Sequence, residues 1–225
     1  MLTTFLLDSW SFFKRHIITI AAIVLPISIP FEIITTLQQN SINMEELVLA
    51  DLLLPLLIDS MVYPVYTIAV IFYMSSVVSD KSSDIKTLWS LGIKFWLPFM
   101  IYSIASGIII TIGLILFIIP GLIYTARYAF APFDLLFNEN TPFDAMKNSW
   151  HAAKDYLWII LGGYIVITVI VFSPFYFISQ LFTQGSTTML IFDIISNIIL
   201  SVLHVMYTVF SYRVYEYAKN EKQIL

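Results

Sequence analysis

The sequence contains no cysteine, which excludes disulfide bonds, thiol catalysis and cysteine-ligated metal sites. Its three histidines, His16, His151 and His204, lie far apart, and none belongs to an H-x-x-x-H or H-E-x-x-H metal motif. Phosphate-binding glycine motifs and the G-x-S-x-G nucleophile motif are also missing. We therefore expect no cofactor and no catalytic residues, and we predict that the protein is not an enzyme.

Charged residues are scarce, at 12% of 225 residues, whereas 59% of the residues are hydrophobic. The mean hydropathy is +0.87. A soluble fold of this size could not cover so much apolar surface with so few charges. The net charge of −4 is small and scattered, so it does not indicate a nucleic-acid partner. The composition predicts an integral membrane protein whose immediate partners are membrane lipids.

Six apolar segments are long enough to cross about 30 Å of hydrocarbon as helices. They cover residues 16–37, 52–78, 95–118, 120–137, 157–182 and 189–212. The fourth is the shortest and contains Arg127 near its middle. These segments predict an all-α, polytopic membrane protein in which residues 1–225 form a single domain.

The basic residues predict the orientation of these spans. Ten of the eleven lysines and arginines precede span one, follow span six, or lie between spans two and three or four and five; Arg127 is the eleventh. The opposite connections, 38–51, 119–121 and 183–188, contain none. Cytoplasmic loops carry an excess of lysine and arginine, so both termini are predicted to be cytoplasmic. This distribution of basic residues holds only if residues 120–137 also cross the membrane, because otherwise Lys147 and Lys154 would lie on the opposite side from Lys81, Lys86 and Lys94.

Three stretches are predicted to form amphipathic helices at the cytoplasmic membrane surface, each before an odd-numbered span. They are residues 3–15, 82–96 and 141–158. The third begins with Thr141 as a helix cap, Pro142 at the first helical position and Asp144 three residues after the cap. Similar tryptophan and lysine spacings suggest a three-fold repeat of surface helix plus hairpin, although any interfacial helix collects these residues.

Residues 118–164 combine a proline-glycine turn, an apolar stretch that ends in a proline, and an A-x-x-x-S-W surface helix. The positions concerned are Pro120, Gly121, Pro132, Ala145, Ser149 and Trp150. This region resembles the YciC-like family of bacterial inner-membrane proteins and is similar to the membrane domain of some glycerophosphodiester phosphodiesterases. The resemblance implies six spans in the inner membrane and no particular activity. The phosphodiesterase domain is missing from the sequence, so no catalytic residue carries over.

Polar and ionisable residues inside the predicted spans define a candidate site. At 1.5 Å per residue, the single base and three of the acids are predicted about 6 to 10 Å from the outer ends of their spans. Polar residues also recur at three- and four-residue spacing in spans two and six, which places them on one face of each helix. The predicted cluster consists of Arg127, Asp59, Glu32, Asp193, Asn197, His204 and Tyr63.

Each member of this cluster also has a structural interpretation. An arginine at the centre of a spanning helix costs about 2.5 to 3.5 kcal/mol on insertion, so Arg127 should face protein or water. Arg127 and Asp59 would then form an ion pair that fixes helix packing, and His204 would make a satisfied polar contact. Glu32 and Asp193 would extend outward to the membrane surface.

Two functional classes remain open. In the first, the protein is a non-enzymatic module that binds or moves a lipid, an ion or a small solute through the polar cluster around Arg127. In the second, it is a scaffold or assembly factor that binds another membrane protein through its surface helices and polar stripes. An anion or lipid headgroup bound at Arg127 would favour the first class.

Overall fold

The computed structural model describes residues 1–41, 49–81, 83–183 and 185–224, without the side chains of residues 41–57, 59 and 222–224. This part of the chain contains ten helices and no strand. The helices are α1 (Leu2–Ser41), α2 (Leu49–Val78), α3 (Ile85–Lys94), α4 (Trp96–Leu116), α5 (Ile118–Arg127), α6 (Ala131–Phe137), α7 (Pro142–Ala152), α8 (Leu157–Ser179), α9 (Thr187–Leu203) and α10 (Val205–Ile224).

Five helical segments in the described part of the chain are long and apolar enough to cross a membrane. They lie in α1, α2, α4 and α8 and in the α9–α10 pair, and they correspond to predicted spans one, two, three, five and six. The prediction of an all-helical chain with several apolar spans is confirmed.

The fourth predicted span, residues 120–137, is two helices and not one continuous helix, so it is not among these five segments. Helix α5 ends at Arg127 and α6 begins at Ala131. Pro132 explains the break, because proline has no N–H to donate and its ring would clash with the carbonyl of Tyr128 four residues earlier. That carbonyl instead accepts hydrogen bonds from the Ala131 amide, at 3.1 Å, and from the Tyr102 hydroxyl, at 3.3 Å.

Together, α5 and α6 run antiparallel along the whole of α4. At one end the backbones of Gly113 and Gly121 meet, and in the middle Tyr102 of α4 reaches Tyr128. At the other end the rings of Phe95 and Phe137 lie 5.7 and 6.0 Å from the ring of Phe72. The broken segment therefore still returns the chain to the level at which α4 began.

The turn between α4 and α5 lies at Phe117, whose backbone is extended with φ −155° and ψ 128°. The sequence placed this turn three residues later, at Pro120 and Gly121, which instead belong to the first turn of α5. Gly121 is needed for close packing: a Cβ atom there would lie 2.6 Å from the backbone nitrogen of Leu114.

The first predicted surface helix is continuous with span one in the 40-residue helix α1, so residues 3–15 are not a separate element. No proline or glycine precedes Pro26 to interrupt the helix. The other two surface stretches do contain separate helices, α3 and α7. At the start of α7 the predicted cap is confirmed, because the Thr141 hydroxyl accepts from the Asp144 amide at 3.3 Å.

One end of the bundle is densely packed, and we call it the base. It comprises the first half of α1, the second half of α2, α3, the start of α4, residues 126–160 and α10. These elements carry ten of the eleven lysines and arginines, and the eleventh, Lys81, lies in the connection between α2 and α3. Tyr156, which precedes α8, donates a hydrogen bond to Glu221; burial and this bond raise the pKa of Tyr156. The largest fully buried side chains are Phe13, Phe99, Phe130, Phe133, Phe210, Ile20, Ile23, Ile68, Ile71, Met74, Leu88 and Leu135.

The opposite end, which we call the open end, includes the last third of α1 and helix α9. Here apolar side chains are exposed and polar side chains are buried. On α9 the apolar Ile191, Ile195 and Ile199 share one face and are exposed by 51%, 52% and 44%. In the last third of α1, by contrast, the polar side chains Ser28 and Thr36 are buried. Apolar stripes outside and polar stripes inside are the opposite of a soluble helix bundle and are typical of helices that face lipid.

Candidate functional site

A cavity of about 520 Å³ lies at the open end, between α1, α2 and α9. We call it the large cavity. This volume lies within the range of about 300 to 1,000 Å³ that is usual for small-molecule sites. Four of the seven predicted site residues line it, namely Glu32, Tyr63, Asn197 and His204. The remaining lining residues are Ser28, Phe31, Thr35, Gln39, Ser60, Val62, Tyr66, Ser103, Phe172, Leu200 and Ser201.

Helix α1 contributes a polar stripe to this cavity that the sequence reasoning missed apart from Glu32. Ser28, Glu32, Thr35 and Gln39 all line the cavity. Their spacings of four, three and four residues place them on one face of the helix. The same spacing signal that identified the stripe in span six was therefore present in span one.

Helix α9 is fastened to α1 through the polar stripe predicted in span six. The Asn197 side-chain amide donates to the Thr36 hydroxyl at 3.0 Å. The hydroxyls of Ser28 and Ser201 are also 3.0 Å apart. Hydrogen bonds of this kind between membrane helices contribute about 0.6 to 2 kcal/mol each, so this stripe both packs the helices and lines the cavity.

His204 occupies the break between α9 and α10. Its ring lies 5.0 Å from the ring of Tyr207 and 6.4 Å from that of Phe172, measured between centroids. The side chain keeps exposed surface because it faces the large cavity and a narrow gap behind it. His204 therefore marks the inner limit of the large cavity.

A second cavity of about 270 Å³ lies nearer the base, and we call it the inner cavity. Tyr63 and Ser103 line both cavities, so the two are adjacent. Hydroxyl groups are frequent in its lining, and two of them are paired, with Tyr164 2.6 Å from Ser211. Further tyrosines that line it are Tyr102, Tyr128 and Tyr207. A polar interior thus extends from the open end toward the base.

The structure separates Arg127 from the rest of the predicted cluster. Its Nη1 atom donates to the carbonyl of Trp150 at 2.6 Å, and the guanidinium carbon lies 4.9 Å from the centre of the Trp150 ring. The Ser149 hydroxyl donates to the Arg127 carbonyl at 2.6 Å and accepts from the Phe130 amide at 3.1 Å. Arg127 belongs to the base and lines neither cavity.

The position of Arg127 has a simple physical reason. Trp150 lies in the last turn of α7, where backbone carbonyls lack partners within the helix and the helix dipole is negative. A guanidinium that donates to such a carbonyl and stacks on the adjacent indole satisfies both groups. The depth estimate from sequence counted from residue 120, two residues after the start of α5, and it could not include the packing of α7 against the last turn of α5.

The two remaining predicted acids, Asp193 and Asp59, are not among the described residues that line the large cavity. Asp193 is partly buried on α9, one turn before Asn197, and does not line the large cavity. Asp59 lies in α2 beside Ser60, but its side chain is outside the described residues. The predicted ion pair between Asp59 and Arg127 therefore also lies outside the described residues.

The described lining of the large cavity contains one carboxylate, Glu32, and no lysine or arginine. No lysine or arginine occurs in residues 16–80, 95–126 or 155–212, and these segments supply every residue that lines it. Glu32 is therefore accompanied by aromatic rings, hydroxyls, the Asn197 amide and the His204 imidazole. An anionic headgroup would find no positive partner in this lining.

The fold and the cavity define an all-helical protein with several apolar helices, as in an integral membrane protein, around a polar interior. No protein family, curated protein or solved structure matches the chain. The resemblance to the YciC-like family, and the inner-membrane location that it implies, therefore stay predictions.

Proposed function

We propose that the protein crosses the membrane six times and binds a lipid headgroup or a small solute in the large cavity, without catalysing a reaction. The observation that carries this proposal is the cavity itself, which brings Glu32, Tyr63, Asn197 and His204 together inside an apolar bundle. Polar side chains in membrane helices are costly and usually mark a site. The proposed ligand accounts for their convergence.

Two observations support six crossings with both termini in the cytoplasm. The α5–α6 segment follows α4 back to the base, as the contacts of Tyr102 with Tyr128 and of Phe72 with Phe137 indicate. Ten of the eleven lysines and arginines belong to elements of the base, and Lys81 connects two of these elements. The positive-inside rule assigns this end to the cytoplasm. The YciC-like resemblance adds the bacterial inner membrane as the proposed location.

Filling the cavity should displace the bound molecule. Ser103 lines both cavities, so the Ser103→Phe substitution would add a ring where they adjoin. We expect the fraction of protein that carries a bound molecule to fall by about tenfold or more, because a ring at the junction of the two cavities would overlap a molecule held there. Native mass spectrometry of protein extracted from its own membrane measures this fraction and the mass of the molecule.

Ile104→Phe is the matched control, because Ile104 is the next residue of α4 and is 41% exposed on the outside of the bundle. It should keep the occupancy of the unaltered protein. Equal occupancy in both variants would contradict binding in the cavity. Extraction of the unaltered protein without a bound molecule, but with a partner subunit, would instead support the scaffold function.

A further inference from the structure

Four aromatic side chains line the large cavity together with the one carboxylate of its described lining. Phe31, Tyr63, Tyr66 and Phe172 line the same space as Glu32. The rings of Tyr63 and Tyr66 are 5.6 Å apart and inclined at 81°, so their faces point in different directions. Aromatic faces attract cations through their negative quadrupole, and several faces together are typical of sites for quaternary ammonium groups.

The described charges of the open end have one sign. Glu32 on α1 and Asp193 on α9 are the described acidic side chains there. No lysine or arginine occurs in residues 16–80 or 155–212, which contain both positions. A cleft with charges of a single sign raises the local concentration of ions of the opposite sign. The open end should therefore attract cations and repel anions.

We propose that the molecule bound in the large cavity is an organic cation with an alkylammonium or quaternary ammonium group, either as a free solute or as a lipid headgroup. This inference rests on the proposed function and specifies its ligand. Glu32 supplies the counter-charge, and Tyr63, Tyr66 and Phe172 supply apolar faces for the methyl or methylene groups around the nitrogen. A small divalent metal ion would favour several converging carboxylates, whereas Glu32 is the one carboxylate among the fifteen described residues that line the cavity.

Two probes of equal size and different charge test the inference. Choline carries a trimethylammonium group, and 3,3-dimethylbutan-1-ol carries a neutral carbon in place of the nitrogen. Titration calorimetry with the full chain in a neutral detergent should show that choline binds about tenfold more tightly, or better, because only the cation gains from the carboxylate and the ring faces. This comparison uses the unaltered protein, so it does not depend on how any variant folds.

Glu32→Gln should remove this preference, with choline affinity about tenfold lower and the affinity for the neutral probe within about threefold. Asp193→Asn is the matched control, because it removes one carboxylate from the same end of the bundle without altering the lining. It should leave both affinities within about threefold, because Asp193 does not line the cavity and a more distant charge acts weakly on a bound cation at physiological salt.

The role of the rings is tested at Tyr63. Tyr63→Leu should weaken choline binding by about 3- to 30-fold, whereas Tyr63→Phe, which keeps the ring and removes the hydroxyl, should stay within about threefold. Equal weakening by both variants would assign the effect to the hydroxyl and overturn the proposed ring contact.

The outcomes for this inference and for the proposed function are distinguishable. Equal affinity for the two probes, or a choline preference that survives Glu32→Gln, overturns the cation assignment. The proposed function still stands in that case if native mass spectrometry finds a neutral molecule that Ser103→Phe displaces. An absence of binding of either probe overturns the cation assignment as well, and the mass-spectrometric result then decides the proposed function alone. A bound mass identifies the source as a lipid or a free solute.

Discussion

Replacing Gly163 with alanine is expected to lower the free energy of unfolding by about 3 kcal/mol, the upper part of the range for an overpacked core. A Cβ atom at this position would overlap the ring of Phe210, which is fully buried between helices of the base. The ring has no free space to move into, so α8 and α10 would have to separate. Denaturant unfolding in detergent micelles, followed by circular dichroism, measures the loss.

The adjacent Gly162 provides the control. A Cβ atom there would meet only the end of the Leu2 side chain, at 3.0 Å, which can move aside by a rotation of that side chain. Because alanine is favoured over glycine in helices by about 1 kcal/mol, Gly162→Ala should be neutral or stabilising. Equal stability of the two variants would contradict the described packing of α8 against α10.

Arg127→Ala is expected to lower the free energy of unfolding by about 2 to 4 kcal/mol. It removes a hydrogen bond from a charged donor, worth about 1.5 to 3 kcal/mol, and a cation–π contact of about 0.5 to 2 kcal/mol. The buried Nε atom of Arg127 has no hydrogen-bond partner among the described residues, which destabilises the folded protein. The alanine variant also removes this unfavourable group, so part of the loss is offset. The Trp150 carbonyl loses its side-chain donor, and α7 should detach from the base first.

Lys147→Ala tests whether this effect is specific. Lys147 lies on the exposed side of α7, so its removal takes away the same charge from the same region without a buried contact, and stability should be unchanged. Arg127→Lys should recover only part of the loss, because an ammonium group cannot stack on the indole as a guanidinium does. Folded Arg127→Ala protein should keep its bound molecule. If Arg127→Ala lost the bound molecule but kept its stability, Arg127 would belong to the binding site and this interpretation would be wrong.

The sequence predicted the helical class and most of the spans because the length of an apolar run is a local property. The cap at Thr141 was predictable for the same reason. The environment of Arg127 was not, since it depends on a helix break near Pro132 and on the return of α7 against α5. Both are tertiary features, and counting residues from an assumed helix end placed Arg127 in the wrong layer.

The cavity was partly predictable. Regular spacing revealed the polar faces that contain Tyr63, Asn197 and His204, and the same reasoning applied to span one would have added Ser28 and Thr35. The contribution of Ser103 had no such signal, because one serine in an apolar helix is common and its orientation depends on neighbouring helices. Which polar faces meet is a property of the packed bundle.

The central claim is that a polar cavity opens to the outside of the cell within the apolar bundle. Since the chain has no cysteine, single thiols at Asn197 and Ile195 can be compared with a membrane-impermeant trimethylammonium methanethiosulfonate reagent applied outside spheroplasts. Asn197→Cys, in the cavity lining, should react and be protected by choline. Ile195→Cys, on the exposed apolar face, should not react, because a thiol in hydrocarbon does not ionise. Equal reaction at both positions, or reaction of Asn197→Cys only after the membrane is opened, would contradict the account.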